Sequence, residues 1–314
     1  AAGHSYTSLD VPRREFYRPA GGGNWNNSAN WSGDEVPESG DDVNVRDNRP
    51  GGTGDLPTAN LTASGSAANL TVAEGGNVDT EGFKLDVVGT ITVTDTDSDL
   101  FIRNGGEAEA KTLIVTNDAE VHPQTGGLID VNQLNISTDS LLVGAGEVDV
   151  QTELENDGTI TASGGTLTLT STATGGVWDL DGSSGGGKVY VTGGDLHVTG
   201  ELTDAFDGEM TVGKTVSGNT GYSATFVDGW ELGASGDLTM YGDDDDPAQI
   251  AGGTFIVAGD VEVNGVGQFQ ADVTFESTTD ITLTDADDVL SLYGATTYDG
   301  GDYIGDGKLV QNGD

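Results

Sequence analysis

The chain contains no cysteine, which excludes disulfide staples, Cys-ligated metals and thiol redox chemistry. Basic residues are nearly as scarce: 11 Lys and Arg stand against 53 Asp and Glu, a formal net charge of -42. A surface of that sign repels phosphate backbones and anionic lipid, so neither nucleic acid nor an inserted membrane is an expected partner. No run of 18 apolar residues is present to form a membrane-crossing helix. The amino end, AAGHSYTSLDVPRREFYRPA, also has no apolar stretch of the signal-peptide kind. Either a signal was removed before Ala1, or the chain is made in the cytoplasm and reaches the outside by assembly or lysis. The three histidines, His4, His122 and His197, are far apart and match no HExxH or paired-His spacing, so no zinc site or catalytic triad is expected. Aromatics make up 6% and hydrophobic residues 34% of the chain, which implies a core that is thin or repetitive.

What is abundant is glycine, 51 residues, together with Thr, Val, Asp and Ser but only 7 prolines. This mixture favours many short strands joined by turns, with almost no helix. Alternating segments recur: ANLTV at 68–72, GTITV at 89–93, KTLIV at 111–115 and NQLNI at 132–136. In each, Val, Ile or Leu alternates with a polar residue, the period of a half-buried strand. Coils of about 20–25 residues that cannot bury their own apolar face, but can share one core when stacked, define a β-solenoid. The sequence therefore predicts an all-β fold, a parallel β-solenoid (β-helix). Gly, Asp-Gly and Asn-Asp pairs supply corners of positive φ, and the GDL and GDV triplets at 194, 236 and 259 read as one corner reused. The expected divisions are an extended arm at 1–20, an opening cap at 21–50, a solenoid at 51–200, and at 201–314 either an irregular continuation or a second, β-sandwich-like module. The larger residues Phe206, Tyr222, Phe226 and Trp230 motivate that last alternative.

The stretch GGGNWNNSANWSGDEVPESGDDVNV, residues 21–45, places Trp25 six residues before Trp31, then Val36-Pro37, Asp41-Asp42 and a short alternating strand. Two large indoles can close the open apolar end of a first coil, their N–H groups meeting nearby Asn side chains. Trp25, Trp31, Pro37, Asp41 and Asp42 are accordingly the expected structural cap, with Asp41 and Asp42 receiving backbone N–H groups. The string Trp25-x5-Trp31-Ser32-Gly33, Val36-Pro37, Asp41-Asp42-Val43 resembles the W…ANWS-G…VP…DDV opening of bacterial surface proteins and tailed-phage structural proteins. It lacks the extended Gly/Ser insert of the longer phage forms. The resemblance covers about 25 residues and implies a parallel solenoid start; it leaves a virion and a cell-surface role equally open.

The densest acidic loops hold Asp243, Asp244, Asp245 and Asp246, and Asp285, Asp287 and Asp288. Hard oxygen ligands suit Ca²⁺ or loosely held monovalent cations, and no other cofactor is expected. Asn26, Asn30, Asn60, Asn69 and Asn135 each begin a glycosylation sequon. The arm concentrates Arg13, Arg14 and Arg18 with Phe16 and Tyr17, residue types that supply interface anchors. These five are the expected contact with a larger particle such as a capsid, tail or surface layer. Only five lysines remain, Lys84, Lys111, Lys188, Lys214 and Lys308, and Asp outnumbers Glu, a pattern that resembles proteins of extreme halophiles. In concentrated salt a screening length of about 3 Å at 1 M removes most of the self-repulsion.

Together these features predict an oligomeric, for instance trimeric, adhesive protein on a virion surface in a hypersaline setting: a tail fibre, spike or capsid decoration that meets a host glycan or glycoprotein. An exported cell-surface adhesin or filament subunit and a polysaccharide-degrading tailspike are the alternatives.

Overall fold

The computed structural model describes residues 11–16, 22–47, 56–171, 173, 176–182, 186–215 and 220–312. Strand alternation sets which side of each coil is inside: in Asn69–Ala73 the burial runs exposed, buried, intermediate, buried, intermediate. Such a strand has one apolar face and no second layer of its own, so it can bury that face only across a hollow that it shares with other strands. The chain meets this constraint by coiling. Every pairing between strands among the described residues is parallel, in register with the next coil apart from shifts such as those at Ala110/Thr112 and Val131/Gln133, and the fold is the expected β-solenoid.

Three columns of strands run along the stack. In the first, Leu70 pairs with Ile91, Ile91 with Leu113, Leu113 with Leu134 and Leu134 with Leu154. The first four are the centres of the pentapeptides whose spacing announced the repeat, and all five residues are buried. The second column is unbroken from Gly23, through Ala59, Val78, Leu100, Val121, Leu142, Ile160, Val189, Met210, Leu238 and Val261, to Ile281 and Tyr303. The third includes Leu196, Ala224, Ile250, Phe269 and Leu292 in successive coils. Past residue 200 the chain is thus still a solenoid, and the sandwich-like alternative does not occur.

What changes there is the filling. Phe226 stacks on Trp230 with centroids 5.2 Å apart, and ring contacts continue through Phe255, Phe269 and Phe275 to Tyr298. Of the large residues that suggested an excursion, Phe206, Phe226 and Trp230 are core and Tyr222 is partly buried against it. The first column is also interrupted: residues 199–208 join it only through the bridges Trp178–Leu202 and Phe206–Leu232. It resumes as Trp230–Leu232, Phe255–Val257, Val273–Phe275 and Thr296–Tyr298, a separate four-stranded sheet.

Corners carry the remaining information. Gly82 and Gly105 follow Glu81 and Asn104 in paired residues of positive φ, the conformation a tight reversal needs. Buried polar side chains at corners serve the neighbouring coil: Thr80 Oγ1 accepts the Arg103 N–H and Ser98 Oγ accepts the Gly75 N–H. The GDV and GDL triplets are only partly equivalent. Asp237 and Asp260 are in register one coil apart, but Asp195 precedes the third-column strand Leu196–Val198 and belongs to another corner.

Ile91 is fully buried between Leu70 and Leu113. The substitution Ile91→Ala should therefore cost about 2–5 kcal/mol in chemical denaturation at fixed salt, whereas Thr92→Ala, on the outward face of the same strand, should change the midpoint little.

Candidate functional site

The first coil is closed as the two indoles suggested, with a third ring that the sequence did not reveal. Trp25 meets Trp31 edge-on at 4.8 Å, and Phe16 meets Trp31 edge-on at 5.0 Å. All three are buried. The hydrogen bonding differs from expectation: Trp31 Nε1 donates to the Trp25 carbonyl at 2.6 Å, not to an asparagine. Trp25 Nε1 is buried without a partner. The asparagines instead shape the backbone: Asn24 accepts the Asn26 N–H and Asn27 the Ala29 N–H, through their side-chain oxygens. Pro37 is buried. Asp41 accepts the Glu38 N–H at 2.9 Å, and Asp42 receives the Asn69 side-chain amide.

Residues 11–16 belong to this body, which corrects the reading of them as part of a free arm. Arg13–Glu15 is a strand paired with Asp42–Arg46. Arg14 is held by Asp41 at 3.1 Å and Glu35 at 2.6 Å, partners that raise its pKa further. With Phe16 buried against Trp31, neither Arg14 nor Phe16 is available to grip a particle. Arg13 is largely exposed and pairs with Glu15; Tyr17 and Arg18 lie outside the described residues.

The acidic loops serve their own backbone. Asp243 accepts the N–H groups of Asp245 and Asp246, and buried Asp288 accepts those of Asp285 and Gly265. Asp243 and Asp288 thus give carboxylate oxygens to N–H donors, and the one converging group of three potential ligand side chains among the described residues lies in neither loop. Among the sequons, Asn30 is buried and its amide donates to the Asn24 carbonyl at 2.7 Å; a glycan there is incompatible with the folded cap. Asn26 binds Ser64 and Thr62, whereas Asn69 is exposed. Asn60 and Asn135 lie on strands Thr58–Asn60 and Leu128–Ile136 and are half-buried.

The interruption of the first column opens a lateral groove of about 550 Å³. Glu201, Asp204, Asp228 and Glu231 stand around it, with Trp230 in its wall. Glu201 and Asp228 also border a smaller hollow walled by Trp178. The indole N–H groups of Trp178 and Trp230 are buried and unpartnered. One wall, residues 205–207, is tied down by Asp181, whose carboxylate accepts the Asp207 N–H at 2.8 Å. Burial in this apolar corner, with Asp179 and Asp207 nearby, pushes the Asp181 carboxyl up to about 6.

A different grouping was invisible to spacing rules. His122 lies 3.2 Å from both Asp99 and Glu120 on the outward face of the second column. It is the one set of three potential ligand groups that converge among the described residues.

Fold and surface together define a parallel β-solenoid with a sealed first coil, an acidic exterior and a lateral groove. No protein-family model, curated protein or solved structure matches the chain.

Replacing Phe16 with Ala should destabilise the first coil by about 3 kcal/mol or more, seen as early loss of tryptophan fluorescence from the cap on denaturant titration. Asp181 gives a pH signature. Its folded pKa lies above the unfolded value, so ionisation opposes folding, and the molecule loses stability as pH rises from about 4 to about 6. Asp181→Asn keeps an acceptor for Asp207; it should be more stable than the parent above that window and equal to it below, as measured by thermal melts across pH.

Proposed function

We propose that this chain is a non-enzymatic structural and adhesive rod of an outer surface, most concretely a tail fibre, spike or capsid decoration of a virus living in concentrated salt. One observation carries the reading: an unbroken column of paired strands from Gly23 to Tyr303 makes a stiff body whose outward face is acidic and whose first coil is closed by three rings. A stack of this kind suits holding a contact at a distance, since each coil is braced by both neighbours. A cell-surface adhesin would use the same body; particles purified from a culture and labelled with antibody against the chain distinguish the two, because gold on virions supports the first and gold on envelopes the second.

Attachment through the amino-terminal arm now falls to residues preceding the body. Removing residues 1–10 should leave the melting temperature unchanged and abolish incorporation into particles. Removing residues 1–20 takes Phe16 as well and should lower the melting temperature.

With 53 acids and 11 bases, self-repulsion opposes the compact state and salt screens it. The melting temperature should rise steeply between about 0.1 M and 1 M KCl, where the screening length falls from about 10 to about 3 Å. A flat profile would remove the hypersaline part of the proposal.

The groove supports a second reading, polysaccharide binding or cleavage, since carboxylates beside an indole are the groups a glycan site uses. Loss of viscosity on mixing the protein with capsular polymer, abolished in Asp228→Asn and Glu201→Gln, would favour that enzyme over the rod.

A further inference from the structure

Asp99 and Glu120 are direct partners across the parallel pair formed by Asp99–Ile102 and Glu120–Pro123. His122 lies two residues beyond Glu120 on the same outward face, above Phe101. Two carboxylates and an imidazole from adjacent coils are thus presented side by side by strands, whose positions are fixed by pairing on both sides. Asp99 Oδ1 and Glu120 Oε2 each lie 3.2 Å from His122 Nε2, and the three groups offer ligand atoms within 4.8 Å of one another.

That spacing has a chemical meaning. In a tetrahedral zinc site with bonds of about 2.0–2.1 Å, neighbouring ligand atoms stand about 3.3–3.4 Å apart. The two separations from the imidazole, 3.2 Å each, are already near that value, and the two carboxylates lie within 4.8 Å of one another, so closing them on one ion takes a side-chain adjustment rather than a backbone movement. The imidazole is also oriented: its ring stacks on Phe101 at 4.7 Å with an interplanar angle of 14°, and Arg103 covers Phe101 at 4.1 Å while bound to Asp79. Asp99 is steadied from below, its N–H donated to Asn77 Oδ1. A preorganised ring of this kind loses little entropy on ligation.

We propose that Asp99, Glu120 and His122 form a binding site for a first-row divalent metal ion of the zinc and cobalt class. One imidazole and two carboxylates select such an ion over Ca²⁺, which prefers oxygen alone, and their combined charge of about -2 neutralises it. The site is open. Beside His122 lies a cleft of about 420 Å³, hollow partly because Gly164 bears no side chain and a Cβ there would meet nothing within 4 Å. Three protein ligands leave the fourth tetrahedral position to a water or a small oxygen ligand, the arrangement of a three-ligand site with a free position.

The diffuse attraction of an acidic surface for any cation must be separated from ligation. Metal-free protein titrated with CoCl₂ or ZnCl₂ in about 1 M KCl, where the screening length is about 3 Å, leaves inner-sphere binding as the main signal. The expected result is one saturable site by calorimetry, with visible d–d absorption on Co²⁺ loading, and no comparable heat from CaCl₂. His122→Ala should weaken binding at least about tenfold, the lower end of what losing even an outer-shell partner costs, and should erase the Co²⁺ spectrum. If circular dichroism shows that His122→Ala fails to fold, the near-isosteric Asp99→Asn provides the same test. Absence of saturable binding, or binding and spectrum unchanged in the folded variant, would overturn the site and leave His122 as a side chain placed between two carboxylates.

Discussion

Parallel in-register pairing between coils is the interaction on which everything else rests. A coil of this chain has strands with one apolar face and polar outward positions, and in isolation it would leave both its Val, Ile and Leu residues and its backbone groups unsatisfied. Stacking answers both needs at once. The N–H and C=O groups point along the stack to the neighbouring coils, and the inward side chains form ladders such as Leu70, Ile91, Leu113, Leu134 and Leu154. A narrow interior explains how 34% hydrophobic residues suffice for 314. It also explains why the corners tolerate so little variation: at Gly194 an added Cβ would lie 1.8 Å from the Gly165 carbonyl oxygen of the coil beside it.

The two halves solve the filling problem differently. From the aromatic cap to about residue 170 the interior is aliphatic, and the first-column ladder of Val72, Val93, Val115 and Ile136 closes on buried Asn156, whose amide donates to the Leu180 carbonyl. Beyond it come Trp178, Phe206, Phe226, Trp230, Phe255, Phe269 and Phe275, all buried. Large rings occupy the region where residues 199–208 make no continuous strand, and they bridge what backbone pairing does not. The groove is the outer side of that same interruption. Its carboxylates and its unpartnered indoles are thus consequences of one local departure from the repeat.

How much of this was legible depended on whether the signal was local. The pentapeptides could be read because alternation and a spacing of 21 or 22 residues are both properties of the string, and the opening tryptophans because two indoles in so polar a stretch demand burial. Phe16 was misread since its partner Trp31 is 15 residues away and across a turn, while nearby arginines made the segment look like a tail. The Asp99, Glu120 and His122 grouping escaped motif rules written for helices and tight loops. In a solenoid the relevant neighbour lies one coil away: Lys84 meets Glu107, Arg103 meets Asp79 and Gln133 meets Glu153. A coil length read from the repeat converts into a rule that residues about 20 to 24 apart touch, and by that rule Asp99 and His122 are neighbours.

The same rule turns composition into electrostatics. In-register stacking sets like side chains directly over like, and Asp86, Glu109, Asp130 and Asp149 form one such ladder. Asp130, in its middle, has its pKa raised first by burial and then by the charges of Asp149 and Glu109. Like charges directly opposite across strands are destabilising. The few cations sit where they relieve this: Lys84 reaches both Glu107 and Glu109, and its own pKa is raised by them. With 11 bases for 53 acids, side chains alone cannot serve every ladder, and the remaining neutralisation has to come from solvent cations. The geometry that buries one face of each strand is what aligns the charges on the other.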